Sequence, residues 1–573
     1  MPGAQAVVLR PADDESDAAR SGRTPAGAGS PGAHTDGRFL WLVAAAALVG
    51  LAVRVAIGLT DDAPSTDETA YLRSGLSLVA GDGFERGGRP ELHFPPFVPF
   101  VLGAAARVFS DPHTGAVVMT CLAGTALIVP LALLGRSVGG EAGGVTTAWM
   151  AALAPGLATM PATRGAGSEA QYALLVVTAT WLVVSAADQR GRGHLARLAA
   201  GGFSVGLAYL SRPEGLFVAV PLLAAVLALA RRRSDARLPR RRASASAVAA
   251  FVVPLVLCVV PYASYLHDHT GQWQVTAKTR DVSLDAWHAV ARGDREARDQ
   301  VLYTPDPSGL RFPTERSSLP SLARADPAGY LTIVGSNLGS LGKNVVGWWL
   351  LPLPVWCLAI AGAWRHRRSG TVRLLAAVAL LPVATALAFF VQPRYLIVTV
   401  ALAAVLAGGV VPTLTDRWRA PAVAGVLVVL AVSTATTFAG RGGWWHPGDH
   451  TDQRAAGEWV AARTAPADRV MTRSFVVEYY AERPAVAVPY ADLDEIVAFA
   501  RHYGVRYLVA DASSVRRMRP QLAPLLERDV VAGLRLEHEE CAEGACTRVF
   551  ALDPAPPPSD EAPPTLGFVG DNG

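Results

Sequence analysis

The feature that most constrains this chain is a series of apolar runs, most of them close to the ~20 residues an α-helix needs to cross a bilayer. They fall near residues 39–59, 115–135, 143–161, 169–187, 197–211, 214–230, 245–265, 343–363, 372–391, 395–413 and 420–439. The hydropathy criterion therefore gives roughly eleven spans. Composition agrees, with 51% hydrophobic and only 17% charged residues, against about 25% charged in an ordinary globular protein. The expected fold class is an α-helical polytopic membrane protein. A wholly soluble enzyme, a disulfide scaffold and a disordered chain are excluded. The formal net charge of +4 is too small to imply a nucleic-acid partner.

Charge position is more informative than net charge. In membrane proteins Lys and Arg gather in short cytoplasmic loops. With the N-terminus inside and the spans alternating, the loops predicted to be cytoplasmic hold Arg136, the pair Arg190 and Arg192, the cluster from Arg231 to Arg242, the trio Arg365, Arg367 and Arg368, and the pair Arg417 and Arg419. The long polar loops 60–95 and 266–340, and everything after 440, then fall outside. The expected location is the plasma membrane, multi-pass, with a cytoplasmic N-terminus.

Four regions follow. Residues 1–37 mix Pro, Gly, Ala, Ser, Asp and Arg without apolar periodicity, as a disordered tail does. No signal peptide is expected before the first span. Residues 38–440 form the transmembrane domain. Residues 441–552 change character: amphipathic stretches such as Asp452–Arg463 and Leu493–Tyr503 alternate with β-like runs at Arg469–Met471, Ala485–Val488 and Tyr507–Ala510. That mixture predicts a small extracytoplasmic α/β domain. Residues 553–573 are Pro-rich and expected to be disordered. Cys541 and Cys546 lie on the oxidising side, where a local disulfide is permitted, though spacing alone does not establish one. Cys121, Cys258 and Cys357 fall in apolar runs, where a thiol acts as a small hydrophobe.

Several polar groups collect on the predicted external face. Ser65-Thr66-Asp67-Glu68-Thr69-Ala70-Tyr71 places a vicinal acid pair just beyond the first span. Such a carboxylate accepts a proton from an acceptor hydroxyl or amine, or coordinates a cation. An ordinary helix N-cap accounts for the same pattern. His93 precedes Phe94-Pro95-Pro96, whose prolines stop one element and fix the start of a short interfacial helix at 97–109. Glu169 stands at the outer end of an apolar helix, where an acid is expensive unless paired or functional. Arg212 and Glu214 flank Pro213 and are placed to pair with each other. His267-Asp268-His269 carries a weak metal-binding pattern. Lys278 and Arg280 offer a point charge and a fork for a phosphate. Arg394 and Tyr395 join two apolar helices, where an arginine needs an anionic partner or a route to water. Acids beside phosphate-binding cations on one face point to a lipid-phosphate substrate.

The order of these motifs resembles the GT-C glycosyltransferase superfamily, and the protein O-mannosyltransferase and aminoarabinose transferase type in particular. The resemblance rests on Asp67-Glu68 with Tyr71, Pro95-Pro96, Gly135-Arg136, Ser168-Glu169, Ser211-Arg212-Pro213-Glu214-Gly215 and Arg394-Tyr395, and covers about residues 39–440. It implies a polyprenyl-phosphate sugar donor and transfer to a lipid, glycan or protein acceptor on the extracytoplasmic face. By the same analogy Asp67 is the base of an inverting displacement, with Glu68 beside it. Tyr71, His93, Glu169, Arg212, Lys278, Arg280, Arg394 and Tyr395 then bind substrate, and Lys278 and Arg394 stabilise the leaving phosphate. Relatives often carry Glu-Lys ahead of the paired prolines, where His93-Phe94 stands here. That departure leaves the need for a divalent cation open and the metal ligands unassigned. A transporter or flippase of lipid-linked sugars and a non-catalytic envelope scaffold are the alternatives. The long external loops and the absence of an evident inverted repeat argue against a transporter.

Overall fold

The structure, a computed structural model, describes residues 31–60, 63–86, 88–159, 167–232, 240–278, 294–302, 319, 323–324, 326–439, 450–542 and 544–552. Arg280, the tail 553–573 and most of the expected tail 1–37 lie outside these residues. Helix α1 (Pro31–Gly58) begins ahead of the first apolar run. A polar connection follows: α2 (Thr66–Ala80), a minimal hairpin of β1 (Glu85–Arg86) and β2 (Arg89–Pro90), and α3 (Phe97–Ala106). Then come α4 (Pro112–Ala126), α5 (Ile128–Leu153), α6 (Pro155–Ala158), α7 (Glu169–Ser185), α8 (Gly191–Ser211), α9 (Gly215–Arg232) and α10 (Arg240–Thr270). After the short α11 (Arg295–Leu302), the bundle closes with α12 (Pro327–Val346), α13 (Leu353–Arg365), α14 (Gly370–Ala388), α15 (Ile397–Gly408) and α16 (Asp416–Phe438).

Among the described residues, seven stretches are long and apolar enough to cross a membrane. One of them, Pro112–Leu153, runs to 42 residues and holds two of the expected spans. It reverses at Gly139–Gly140, where Gly140 adopts φ 62°, a left-handed conformation that favours glycine. The reversal brings Gly135 against Thr147 and Gly144 against Ala132. In one straight helix Gly135 and Thr147 would lie about 18 Å apart. The expected span at 343–363 differs more. It is split between the end of α12 and the start of α13, because Gly347 leaves helical geometry with ψ 133° and Pro352 restarts the chain at ψ 142°. Proline at 352 has no N–H to continue the ladder.

The bundle packs around α15, which is apolar on every side as an enclosed helix must be. Eleven of its twelve residues are buried, and Thr399 donates its hydroxyl to the Ala379 carbonyl at 2.7 Å. The fully buried Arg54 of α1 donates to the Gly50 carbonyl at 2.9 Å and to Ala151 at 3.1 Å. Ala151 lies in the last turn of α5, where free carbonyls and the helix dipole favour a cation.

Residues 450–552 form the expected small α/β head. Helix α17 (Thr451–Arg463) leads into β3 (Arg469–Thr472), α18 (Phe475–Ala481), β4 (Ala485–Ala487), α19 (Leu493–His502), β5 (Val505–Asp511) and α20 (Ala512–Met518). The strands β6 (Val530–Val531), β7 (Leu534–Ala542) and β8 (Ala545–Leu552) complete a six-stranded sheet of order β4-β3-β5-β8-β7-β6. Strands β4, β3 and β5 run parallel; β8, β7 and β6 add an antiparallel half. Apolar runs do not reveal that half, because β7 alternates Leu534 and Leu536 with Arg535, Glu537 and Glu539, the charged exterior of a strand with only one covered face. Cys541 and Cys546 stand opposite each other in this hairpin and are disulfide-bonded.

Two sets of contacts join the head to the rest of the chain. Arg73 of α2 pairs with Glu478 of α18 at 2.9 Å, and Tyr479 packs against the cluster of Tyr71, Leu72, Phe94 and Leu102. Asp299 of α11 enters the head between two arginines: Arg473 Nε and Nη2 donate at 2.7 and 2.8 Å, and Arg519 Nε at 3.1 Å. The end of the bundle nearest these contacts is the head side.

Candidate active site

The site begins with the local geometry of α2. Ser65 is its N-cap, with Oγ accepting from the Glu68 N–H at 3.4 Å while Glu68 Oε2 accepts from the Ser65 N–H at 3.3 Å. This capping box turns Glu68 inward. Its other oxygen, Oε1, lies 2.6 Å from His113 Nδ1 at the start of α4, and the side chain is fully buried. Asp67, one residue earlier, turns the other way and keeps a side-chain exposure of 33%. The capping explanation therefore applies to Glu68, while Asp67 stays partly exposed.

Asp67 Oδ2 accepts from Arg394 Nη1 at 2.6 Å. Arg394 lies on the 3₁₀ turn Pro393–Leu396 that leads into α15, and its Nε donates to Gln392 Oε1 at 2.7 Å. The same Nη1 stands 3.7 Å from Glu169 Oε1. Arg212 Nη1 donates to that Glu169 oxygen at 2.8 Å and to Ser168 Oγ at 3.3 Å. Arg212 is only 3.8 Å from Glu214, so its closer partner is Glu169 and not the neighbour that proximity in the chain suggests. Tyr395 lies beneath both guanidinium groups, 5.0 Å from Arg212 and 5.4 Å from Arg394. The Tyr71 hydroxyl donates to Ser168 Oγ at 3.3 Å, its ring edge meets Phe94 at 4.5 Å, and Lys278 Nζ sits 5.3 Å above the Phe94 ring.

Six chain segments thus converge: α2, the loop before α3, the start of α7, the α8–α9 turn, the chain after α10, and the turn before α15. Asp67, Glu169 and Glu214 face Arg212, Arg394 and Lys278, so the cluster is formally neutral. Burial alone pushes the Asp67 carboxyl up, yet the adjacent Arg394 charge and hydrogen bond, with Lys278 and His93, hold it down to about 2. Burial lowers the Lys278 ammonium, with Arg212 and Arg394 adding to the effect against Glu214 and Asp67. Burial raises the Tyr71 phenol, as do the charges of Asp67 and Glu169. The arrangement offers an ionised carboxylate reachable from solvent and, beside it, cations able to hold an anionic group.

His93 lies at the edge of the cluster. Its N–H donates to Glu91 Oε1 at 2.8 Å and its ring packs on Phe94 at 4.6 Å. The His267/His269 pattern takes no part: His267 stacks on Trp273 at 4.4 Å, and His269 Nδ1 is 2.8 Å from the Tyr265 carbonyl. Sequence reasoning misses His113, Gln392 and the contact role of Phe94. None has a spacing signal, since each acts only through a partner brought to it by the fold. Among the described residues, one group brings three potential metal-ligand atoms together, Glu539 with Cys541 and Cys546. Its two sulfurs are bonded to each other, and a metal-binding cysteine must be a thiolate.

The helical bundle, its head and the polar cluster between them define an integral-membrane protein with a charged site at one membrane boundary. Residues 93–258 match the family described as dolichyl-phosphate-mannose-protein mannosyltransferase. A search of curated protein sequences finds no match. Among solved structures, the oligosaccharyltransferase AglB from Archaeoglobus fulgidus, in complex with an inhibitory peptide and a dolichol-phosphate, aligns at TM-score 0.54 and 16% identity over 83% of this chain and 69% of AglB. A second AglB structure, in complex with Zn and sulfate, aligns at TM-score 0.54 and 16% identity over 89% of this chain and 73% of that one. ArnT from Cupriavidus metallidurans, bound to undecaprenyl phosphate, aligns at TM-score 0.54 and 13% identity over 91% of this chain and 99% of ArnT. The chain is a membrane protein that shares the fold of the AglB and ArnT structures.

Proposed function

We propose that this protein transfers a sugar from a polyprenyl-phosphate donor to a cell-envelope acceptor on the extracytoplasmic face of the plasma membrane. The single observation that carries the reading is the convergence of Asp67, Glu169, Arg212, Lys278 and Arg394 at the head-side boundary of a GT-C bundle. It is supported by the lipid phosphates named in the AglB and ArnT complexes.

In this reading Asp67 accepts the proton from the acceptor O–H or N–H as that atom attacks the anomeric carbon. The bond from the anomeric carbon to the phosphate oxygen breaks on the opposite face, inverting the configuration. The electron pair leaves with the polyprenyl phosphate, whose charge Arg394, Arg212 and Lys278 stabilise. Glu169 orients the two arginines, and Tyr71, Tyr395 and His93 shape the opening. Glu68 acts through the fold, as the inward anchor of α2.

The test is sugar transfer from labelled polyprenyl-phosphate sugars in membranes, comparing the wild type with Asp67→Asn at matched expression. Transfer by the wild type alone supports both the class and the base. Transfer by both moves the base to another carboxylate. Lipid-linked sugar crossing the membrane without a transferred product favours a transporter.

A further inference from the structure

The resemblance to sugar transferases that work beside a membrane raises the question of a divalent cation, and one AglB structure is described in complex with Zn. The residues here do not fit such an ion between Asp67 and Glu169. Divalent cations such as Mg²⁺ and Ca²⁺ are held by carboxylate oxygens at about 2.0–2.6 Å. The space that these two carboxylates share already contains Arg394 Nη1, 2.6 Å from Asp67 Oδ2 and 3.7 Å from Glu169 Oε1. The Glu169 oxygen also accepts from Arg212 Nη1 at 2.8 Å. An ion placed there would displace one guanidinium and stand against the other, with Lys278 nearby. The three acids and three cations already cancel, so an added ion would leave the cluster at two positive charges before any phosphate arrived.

We infer that Arg394 is itself the cation that bridges Asp67 and Glu169, so that the site works without a divalent metal at this position. Arg394 comes from the turn before α15, Asp67 from α2 and Glu169 from α7, so one side chain links three elements at the site. Its planar fork is held on the other side by Gln392 at 2.7 Å, which fixes its direction as a metal's coordination sphere would. A guanidinium is always charged, so this bridge does not depend on metal supply.

The assignment stands on geometry, and only its consequence for transfer rests on the proposed function. Mn²⁺ binding to the full-length protein, stripped with EDTA and held in lipid nanodiscs, tests it by electron paramagnetic resonance without any turnover. The expected result is no Mn²⁺ binding that differs between the wild type and Asp67→Asn. Arg394→Ala leaves the two carboxylates facing each other and is expected to gain a Mn²⁺ site, which Glu169→Gln in the same background removes. Wild-type transfer should survive EDTA within twofold, and Arg394→Ala should lose it roughly 10²- to 10³-fold. A wild-type Mn²⁺ site abolished by Asp67→Asn overturns the inference, as does transfer lost in EDTA and restored by Mn²⁺ or Mg²⁺. If Arg394→Ala does not fold, the wild-type titration decides alone. Absence of transfer under every condition would count against the proposed function and leave the binding result standing.

Discussion

Two places in this molecule grip carboxylates with paired arginines, and they differ in what surrounds them. In the head contact, Asp299 is fully buried between Arg473 and Arg519, whose exposures are 14% and 1%. At the bundle boundary, Asp67 and Arg394 keep 33% and 29% exposure, and Lys278 and Arg212 stand close by. The first arrangement is closed: Arg519 spends its remaining reach on the Val488 and Pro489 carbonyls at 3.0 and 2.6 Å. The second is open on one side. A buried, enclosed ion pair serves assembly, and removing one partner leaves a charge stranded in a poor solvent. A half-exposed one leaves its groups available for exchange with a ligand. The difference between clasp and site therefore lies in access, since both use the same residue types.

The largest effect expected from this contrast is on chemistry. Asp67→Asn should lower transfer by roughly 10²- to 10⁴-fold with only a small fall in thermal stability, because the pair it breaks is partly exposed. A large fall in stability with transfer per folded molecule retained would make Asp67 a second clasp. Asp299→Asn should do the reverse, weakening the head's hold on α11 and destabilising the fold by about 3–5 kcal/mol, read as a lower melting temperature and faster protease cutting. Loss of transfer at unchanged stability would place Asp299 in the site and break the comparison. Joint replacement of Cys541 and Cys546 by Ser should destabilise the head by about 2 kcal/mol, the figure for so short a closed loop, and leave transfer intact.

The smallest effect concerns pH. The Asp67 carboxyl lies below its ordinary value, at about 2, so the Arg394 pair adds stability that is fully present above the unfolded value of about 3.9 and is lost as pH falls through about 2. Asp67→Asn should therefore lower the melting temperature by the same modest amount at every pH between 5 and 8, with the difference closing only at strongly acid pH. Arg394→Ala should raise the Asp67 value toward normal, and a shift of that acid limb to higher pH would be measured by titrating ¹³C-labelled aspartate.

Much of the site is legible in the amino-acid sequence. Asp67, Glu169, Arg212, Lys278 and Arg394 stand out because charge beside apolar helices is costly and therefore conspicuous. Their pairing is not legible there. Arg212 reads naturally with Glu214 two residues away, yet its side chain meets Glu169 across 43 positions. The vicinal acids read as a unit, yet a helix turns adjacent residues about 100° apart, sending Glu68 to His113 and Asp67 to Arg394. The head's parallel strands are visible as apolar runs, while β7 is hidden by its charged outer face.

That the chain is a helical membrane bundle with a polar α/β head follows from its amino-acid order alone, because transfer of apolar runs to lipid and the cost of polar groups there are local properties of a segment. Which acids face which cations, and which of those pairs stay open, follows only from tertiary packing. Side chains separated by hundreds of residues interact over a few ångströms, and that proximity is set by how α2, α7 and α15 pack, not by any one stretch of the chain.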